Sequence, residues 1–356
     1  MPPEWLQMNE FELIAKLTAS LPSNPAVVTG VGDDCAVLDV GAPGRRLLFK
    51  TDAIVEGIHF LPTADPRKIG HKALGRCLSD IAAMGGRPLA ALITLALPGN
   101  FDVPFVSAIY DGMNALARRY GVAIVGGETT TNPERMLISV SMLGECSNGI
   151  LRSGAKSGDA IFVTGELGGS ILGKHLEFEP RVAEGQWLAE HFPIHAMIDI
   201  SDGLVNDLRH ILKASGVGAE LLAKSIPVSP AARQRCSKVA PLWGRPPVCR
   251  FQEPLAPWTP TDFGAAPAHK RACGSVPINA SAPETPLMAA LGDGEDFELL
   301  LCVSGKQAVP LLDAWKKQFP ALRLTCIGKI RSEPGLSLRD KTGIHTLESH
   351  GYVHFA

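Results

Sequence analysis

The chain has 356 residues, 46% hydrophobic and 20% charged, with 36 Gly and 28 Pro; that length suits about two domains, and the composition excludes a disordered, collagen-like or coiled-coil chain. The 34 Lys and Arg nearly balance 36 Asp and Glu, leaving a net charge of −2 with only 6% aromatics, so there is neither a basic field nor a stacking platform for nucleic acid. The opening residues Met1 to Gln7 lack the basic and apolar regions of a signal peptide. The longest apolar run, Pro88 to Pro98, is too short for ~30 Å of hydrocarbon. The eight Cys form no Cys-x-x-Cys pair and suit free thiols in a reducing compartment. A cytoplasmic protein with no membrane and no nucleic-acid partner is expected.

In chain order, residues 9–19 suit a short amphipathic helix, and strand-like and helix-like stretches then alternate, which predicts an α/β or α+β fold with mixed sheets. Strands are predicted at 46–51, 90–97, 122–125, 136–143, 160–164, 196–200 and 297–303, and helices at 66–84, 103–119 and 202–214. The first long helix has Asp65 to cap it, Pro66 at its first position, and Gly85, Gly86 and Pro88 to stop it. Its apolar stripe, Ile69, Ala73, Cys77, Ile81 and Met84, also carries Asp80 inward, where a carboxylate needs a cation or a metal. Ser201 is placed to cap the helix at 202–214 and Gly216 to end it. A domain break is expected near 145–158. The stretch 236–286 holds ten Pro in 51 residues without sustained periodicity, and suits an irregular insertion.

Six acidic clusters lie beside Gly, Ser or Thr: Gly30 to Asp34, Thr51 to His59, Leu78 to Asp80, Gly126 to Thr130, Asp199 to Gly203, and Gly292 to Asp296. They are expected at strand-to-loop junctions, where α/β proteins build their sites. Hard oxygen ligands without matching His or Cys clusters point to Mg2+, which usually carries phosphates as further ligands. No P-loop holds those phosphates: the segment Gly168 to Lys174 continues into His175 where a Ser or Thr would hold the metal. Gly30 and Gly32 lack a third Gly at the dinucleotide spacing, and no nucleophile elbow is present.

The segments Gly32 to Leu38, Thr51 to Phe60, His71 to Gly85, Asp199 to Leu204 and Gly294 to Leu299 resemble, in order, the motifs of the thiamine-monophosphate kinase family, part of the aminoimidazole ribonucleotide synthetase superfamily. The likeness runs from about residue 9 to 235 and resumes near 286; the 236–286 stretch has no counterpart in it. The resemblance implies a two-domain architecture: an N-terminal domain at 1–147 whose sheet pairs across a homodimer, and a C-terminal α/β domain at 148–356, interrupted by the insertion. It implies ATP-dependent phosphorylation of thiamine monophosphate to thiamine diphosphate, with several Mg2+ ions. Asp34, Asp52, Asp80 and Asp199 would ligate metal, helped by Thr51, with Asp202 holding a further ion. Gly127, Arg152 and Ser201 would contact ATP, and His59 and Glu295 the thiamine substrate.

The chain departs from the pattern in three places. Glu128 stands where the family usually has a metal-binding Asp, Lys50 where some members have a Ser that lends an oxygen to a metal, and Ser349 where an aromatic can pack on thiamine. Asp33 and Asp296 are left open between turn-capping and site roles. Two other readings compete: a different ATP-dependent synthetase of the superfamily, of selenophosphate or aminoimidazole ribonucleotide type, and a catalytically impaired nucleotide-binding protein whose insertion docks a partner. An essential Cys or selenocysteine near the N-terminus would support the selenophosphate reading; Cys35 sits inside a motif of the kinase likeness and is read as packing, and ADP release with thiamine phosphate or with selenide separates the two.

Overall fold

A computed structural model describes residues 10–237 and 285–347. The predicted 236–286 insertion therefore falls almost wholly outside the described residues, as does Ser349. Two mixed sheets form the fold. The first is six-stranded, ordered β1 (Val27–Thr29), β2 (Ala36–Leu38), β3 (Arg46–Val55), β6 (Leu137–Cys146), β4 (Arg87–Leu97) and β5 (Ala123–Thr131). Only β4 and β5 pair in parallel, as the crossover through helix α3 (Val103–Tyr120) between them requires. The second sheet is seven-stranded, ordered β13 (Ile344–Thr346), β12 (Gly335–Arg339), β9 (Gly218–Leu222), β11 (Leu324–Arg331), β7 (Asp159–Thr164), β10 (Leu299–Ser304) and β8 (Ile194–Asp199).

The first sheet buries one face. Along β3, Leu48 and Ile54 are buried while Phe49, Thr51 and Ala53 are exposed, the alternation of a strand covered on one side. The covering helices are α2 (Pro66–Ala83) and α3. The second sheet is covered on both sides, so its central strands are apolar throughout. Phe162, Met197, Leu299 and Leu301 face a core shared with the first sheet and α2. Ile161, Ile198, Leu300 and Cys302 face a second core against helix α5 (Leu204–Ser215).

Helix α2 holds the layers together. The predicted stripe of Ile69, Ala73, Cys77, Ile81 and Met84 is 3% exposed or less, and Asp65 accepts the Arg67 amide at 2.9 Å as the cap. Its backbone also touches its neighbours directly. A Cβ on Gly70 would lie 1.9 Å from the Ile109 carbonyl oxygen of α3, and one on Gly112 the same distance from the Arg67 carbonyl. On the other flank, helix α4 (Val182–His191) brings Gly185 to where a Cβ would sit 2.1 Å from the Ala82 carbonyl.

Three expectations are corrected. Helix α5 starts at Leu204, capped by Gly203 with no side-chain bond, rather than by Ser201. The Asp202 amide donates to the Asp207 carboxylate from the first turn, which takes up that free donor. The strand expected at 297 begins at Leu299, because Glu295 and Phe297 adopt φ of 63° and 51°, outside the strand region. Asp52 and Glu128 lie inside strands and Asp80 inside a helix, so these three acids do not occupy strand-to-loop junctions.

Candidate active site: a carboxylate cluster between the two sheets

Three acids from distant parts of the chain meet in one place. Asp34 comes from the loop before β2, Asp80 from the last turn of α2, and Asp199 from the end of β8. One carboxylate oxygen of each lies within 4.8 Å of the others, and all three residues are at most 5% exposed. Asp52 adjoins them from β3, sharing the Lys50 ammonium with Asp80.

So many buried anions repel one another unless cations intervene. The chain supplies three. Lys50 Nζ donates to Asp80 Oδ1 at 2.9 Å and lies 3.8 Å from Asp52 Oδ1. Arg76 Nε is 3.7 Å from Asp52 Oδ2. Arg152 donates from its guanidinium to Asp34 Oδ1 at 2.6 Å and from its amide to Asp33. The charge states follow. Burial, and then the Asp34 charge, pushes the Asp199 carboxyl up to about 7; a hydrogen bond from the Ser79 hydroxyl at 2.6 Å opposes this. Burial raises Asp80 well above the carboxylate range, against the pull of Lys50. Burial likewise works against the Asp52 charge, but Lys50 and Arg76 outweigh it and hold Asp52 low.

Local satisfaction is incomplete. Asp34 Oδ2, Arg76 Nε and Arg152 Nε are buried without a hydrogen-bond partner, three of the six such side-chain atoms among the described residues. A buried lone pair with no donor and buried N–H groups with no acceptor are each costly by about 1–3 kcal/mol. Side by side, they complement a cation and an anion together. Hard carboxylate oxygens and this orphaned acceptor fit magnesium.

A second group lies at the start of α5. Asp202, Asp207 and His210 also bring ligand atoms within 4.8 Å of one another. Burial, then the Asp202 charge, raises Asp207, and burial with the nearby Arg152 lowers His210 to about 4. Sequence reasoning named Asp202 alone; the i, i+3 spacing of Asp207 and His210 on one helical face was the available signal.

His59 and Glu295, the two residues expected at the thiamine substrate, are joined by a lysine that sequence reasoning passed over. Lys72 of α2 is fully buried, and its Nζ donates to the His59 carbonyl and to Glu295 Oε2, both at 2.7 Å. Burial lowers the Lys72 pKa despite Glu295. His59 Nδ1 accepts the Val55 amide at 3.0 Å, which puts the ring proton of a neutral His59 on Nε2. The strained backbone at Glu295 and Phe297 is held by hydrogen bonds that their amides donate to the carbonyls of Ser201 at 2.7 Å and Ile200 at 2.8 Å, the over-determination such conformations need. Ser201 is thereby fixed beside Asp199 and Glu295. Asp296 is buried, accepts the Gly168 amide at 2.8 Å through Oδ2, leaves Oδ1 unpartnered, and is raised by burial to about 8.

Thr51 and Glu128 are not brought to the cluster. Cross-strand register aligns Asp52, Val140, Ile93 and Gly127 on the covered face, and Ala53, Ser139, Thr94 and Glu128 on the open one. Thr51, next to Asp52, shares the open face, where its hydroxyl bonds the Val140 carbonyl and Ser141. Gly127 keeps the Asp52 row but lies on the edge strand, about 14 Å away across three strand spacings. It must be glycine, since a Cβ would fall 1.8 Å from the Ile93 carbonyl oxygen.

Comparison with known proteins identifies the family. Residues 32–146 match the AIR synthase related protein N-terminal domain, and 147–242 the corresponding C-terminal domain. The thiamine-monophosphate kinase of Rhodopirellula baltica is 36% identical over 97% of both chains, and that of Bacillus subtilis 32% identical over 98% of this chain and all of the other. Among solved structures, AaThiL complexed with AMPPCP and TMP superposes with a TM-score of 0.73 at 28% identity, covering 98% of each chain. With two-domain matches in order and relatives aligned from end to end, the chain belongs to the thiamine-monophosphate kinase family.

Proposed function

We propose that this protein transfers the γ-phosphoryl group of ATP directly to the phosphate of thiamine monophosphate, giving thiamine diphosphate and ADP. The observation that carries the reading is the convergence of Asp34, Asp80 and Asp199 with an unsatisfied oxygen, in a chain that superposes on a relative complexed with AMPPCP and TMP. Asp34, Asp52, Asp80 and Asp199 would hold magnesium, and Asp202 a further ion. Bound magnesium neutralises the facing polyanions and the charge that develops on transfer.

The chain's own groups do the rest. Arg152 offers its unpartnered Nε–H to a phosphate oxygen while Asp34 fixes the guanidinium. Ser201 and Gly127 would contact ATP. His59, through Nε2–H, and Glu295 orient the thiamine end, with Lys72 tying their two loops together; Glu295 is held low, chiefly by Lys72 against burial, and so stays anionic toward the cationic ring. A phosphate monoester oxygen is already nucleophilic at neutral pH, so positioning replaces a catalytic base. Cys35 is 1% exposed and burial pushes its thiol up, which suits packing and not the selenium chemistry of the alternative synthetase.

The open face of the first sheet supports a homodimer. Phe49, Leu92 and Leu143 are exposed there, the first two by nearly half of their surface, beside Thr51 and Glu128. The assay is ADP release with purified protein, ATP, Mg2+ and thiamine monophosphate. Turnover that needs thiamine monophosphate and vanishes with chelator is expected; ADP release with selenide in its place, or none with either, overturns the reading.

A further inference from the structure

Lys50 is a cation in the midst of the cluster, paired with Asp80 and close to Asp52. It lies on the same face of β3 as Asp52, and its ammonium sits among the carboxylates instead of pointing to solvent. Counting formal charges, Asp34, Asp52, Asp80 and Asp199 contribute −4, and Lys50, Arg76 and Arg152 contribute +3. A serine at position 50 would leave the same carboxylates one charge more negative.

Distance makes the ammonium and a metal ion exclusive at one oxygen. Magnesium sits 2.0–2.1 Å from a carboxylate oxygen, while Lys50 Nζ is 2.9 Å from Asp80 Oδ1. An ion on the Lys50 side of that oxygen would stand nearly in contact with the ammonium, two like charges with no counterion between them. The unpartnered Asp34 Oδ2 and the Asp199 carboxylate stay clear of Lys50 in the hydrogen-bond pattern.

We propose that Lys50 is a tethered cation that holds the place between Asp80 and Asp52 which a divalent ion would otherwise take, so that this chain binds one metal ion fewer than its carboxylates could hold. The inference rests on the reading of the cluster as a metal site. It follows that the metal-free fold is already largely neutralised internally, and that losing the ammonium creates a vacancy for an ion.

The test counts ions. Full-length protein is titrated with Mn2+ in the presence of a non-hydrolysable ATP analogue, and free Mn2+ is followed by electron paramagnetic resonance. Lys50→Ser is expected to bind one more Mn2+ per chain than wild type, and Asp80→Asn to bind fewer. Lys50→Gln keeps the length without the charge and serves if Lys50→Ser does not fold; it too is expected to gain an ion. In chelator the Lys50 variants should melt below wild type and recover when Mn2+ is restored. Unchanged or reduced stoichiometry in the Lys50 variants, with Asp80→Asn still losing an ion, overturns the tethered-cation proposal alone. Equal stoichiometry in wild type and Asp80→Asn overturns the metal reading of the cluster, and the proposal with it.

Discussion

Glu298 and Asp34 are both 1% exposed, yet their surroundings differ in completeness. Glu298 receives the Thr164 hydroxyl, Lys174 Nζ and two Arg181 nitrogens, each at 2.8 Å. Both oxygens are filled from within the chain, and Lys174 and Arg181 keep the carboxyl low against burial. Asp34 has one oxygen bonded to Arg152 and the other bonded to nothing. The two acids have the same chemistry and the same burial; what differs is occupancy, complete in Glu298, which staples the fold, and half complete in Asp34, which keeps an acceptor open.

That contrast can be broken by mutation. Asp80→Asn or Asp52→Asn should lower turnover by about two to three orders of magnitude or more while circular dichroism and the unfolding midpoint stay near wild type; near-normal turnover in either would remove that residue from the transfer site. Glu298→Gln should do the reverse, costing about 3–5 kcal/mol in urea unfolding by leaving Lys174 and Arg181 without their anion, with KM values unchanged in the folded fraction. Lys72→Met should sharpen the boundary between the two classes. It is expected to raise KM for thiamine monophosphate by about tenfold, roughly 1.4 kcal/mol, and to leave KM for ATP alone; equal rises in both would show a general loss of structure.

The smallest effect concerns Asp296, which like Asp34 has one oxygen filled and one empty, but whose filled oxygen takes a backbone amide, from Gly168, in place of a guanidinium. Its folded pKa of about 8 lies above the unfolded value of 3.8, so the folded state holds a proton that the unfolded state has released. Stability from this group therefore falls as pH rises from near 4 to about 8. Asp296→Asn should flatten the dependence of the urea midpoint on pH across 6–9 and exceed wild type at the alkaline end. Parallel curves for the two proteins would contradict the assignment.

Helix α2 was legible because its signals are local: Asp65, Pro66, the apolar stripe and the terminal glycines all lie within or next to the element. The inward direction of Asp80 followed from the same periodicity, and the family likeness named Asp34, Asp52 and Asp199. The partners of these acids were not legible. Nothing near Lys50 in the chain announces Asp80, 30 residues on, and Lys72 meets Glu295 across 223 residues; such pairings exist only once the sheets pack. Strands β1, β2, β9 and β11–β13 went unread, several being three to five residues long, too short for a period of two to stand out. The faces of Thr51 and Glu128 depended on register, which one residue of slip inverts.

Backbone contact at Gly70 and Gly185 leaves α2 no freedom to slide between its neighbours. Lys72 and Asp80 are eight positions apart on it, which at 1.5 Å per residue is about 12 Å along the axis. The helix is thus a ruler: the buried Lys72–Glu295 pair at one mark and the acid nest at the other stay a set length apart, and only melting the rod could alter that gauge.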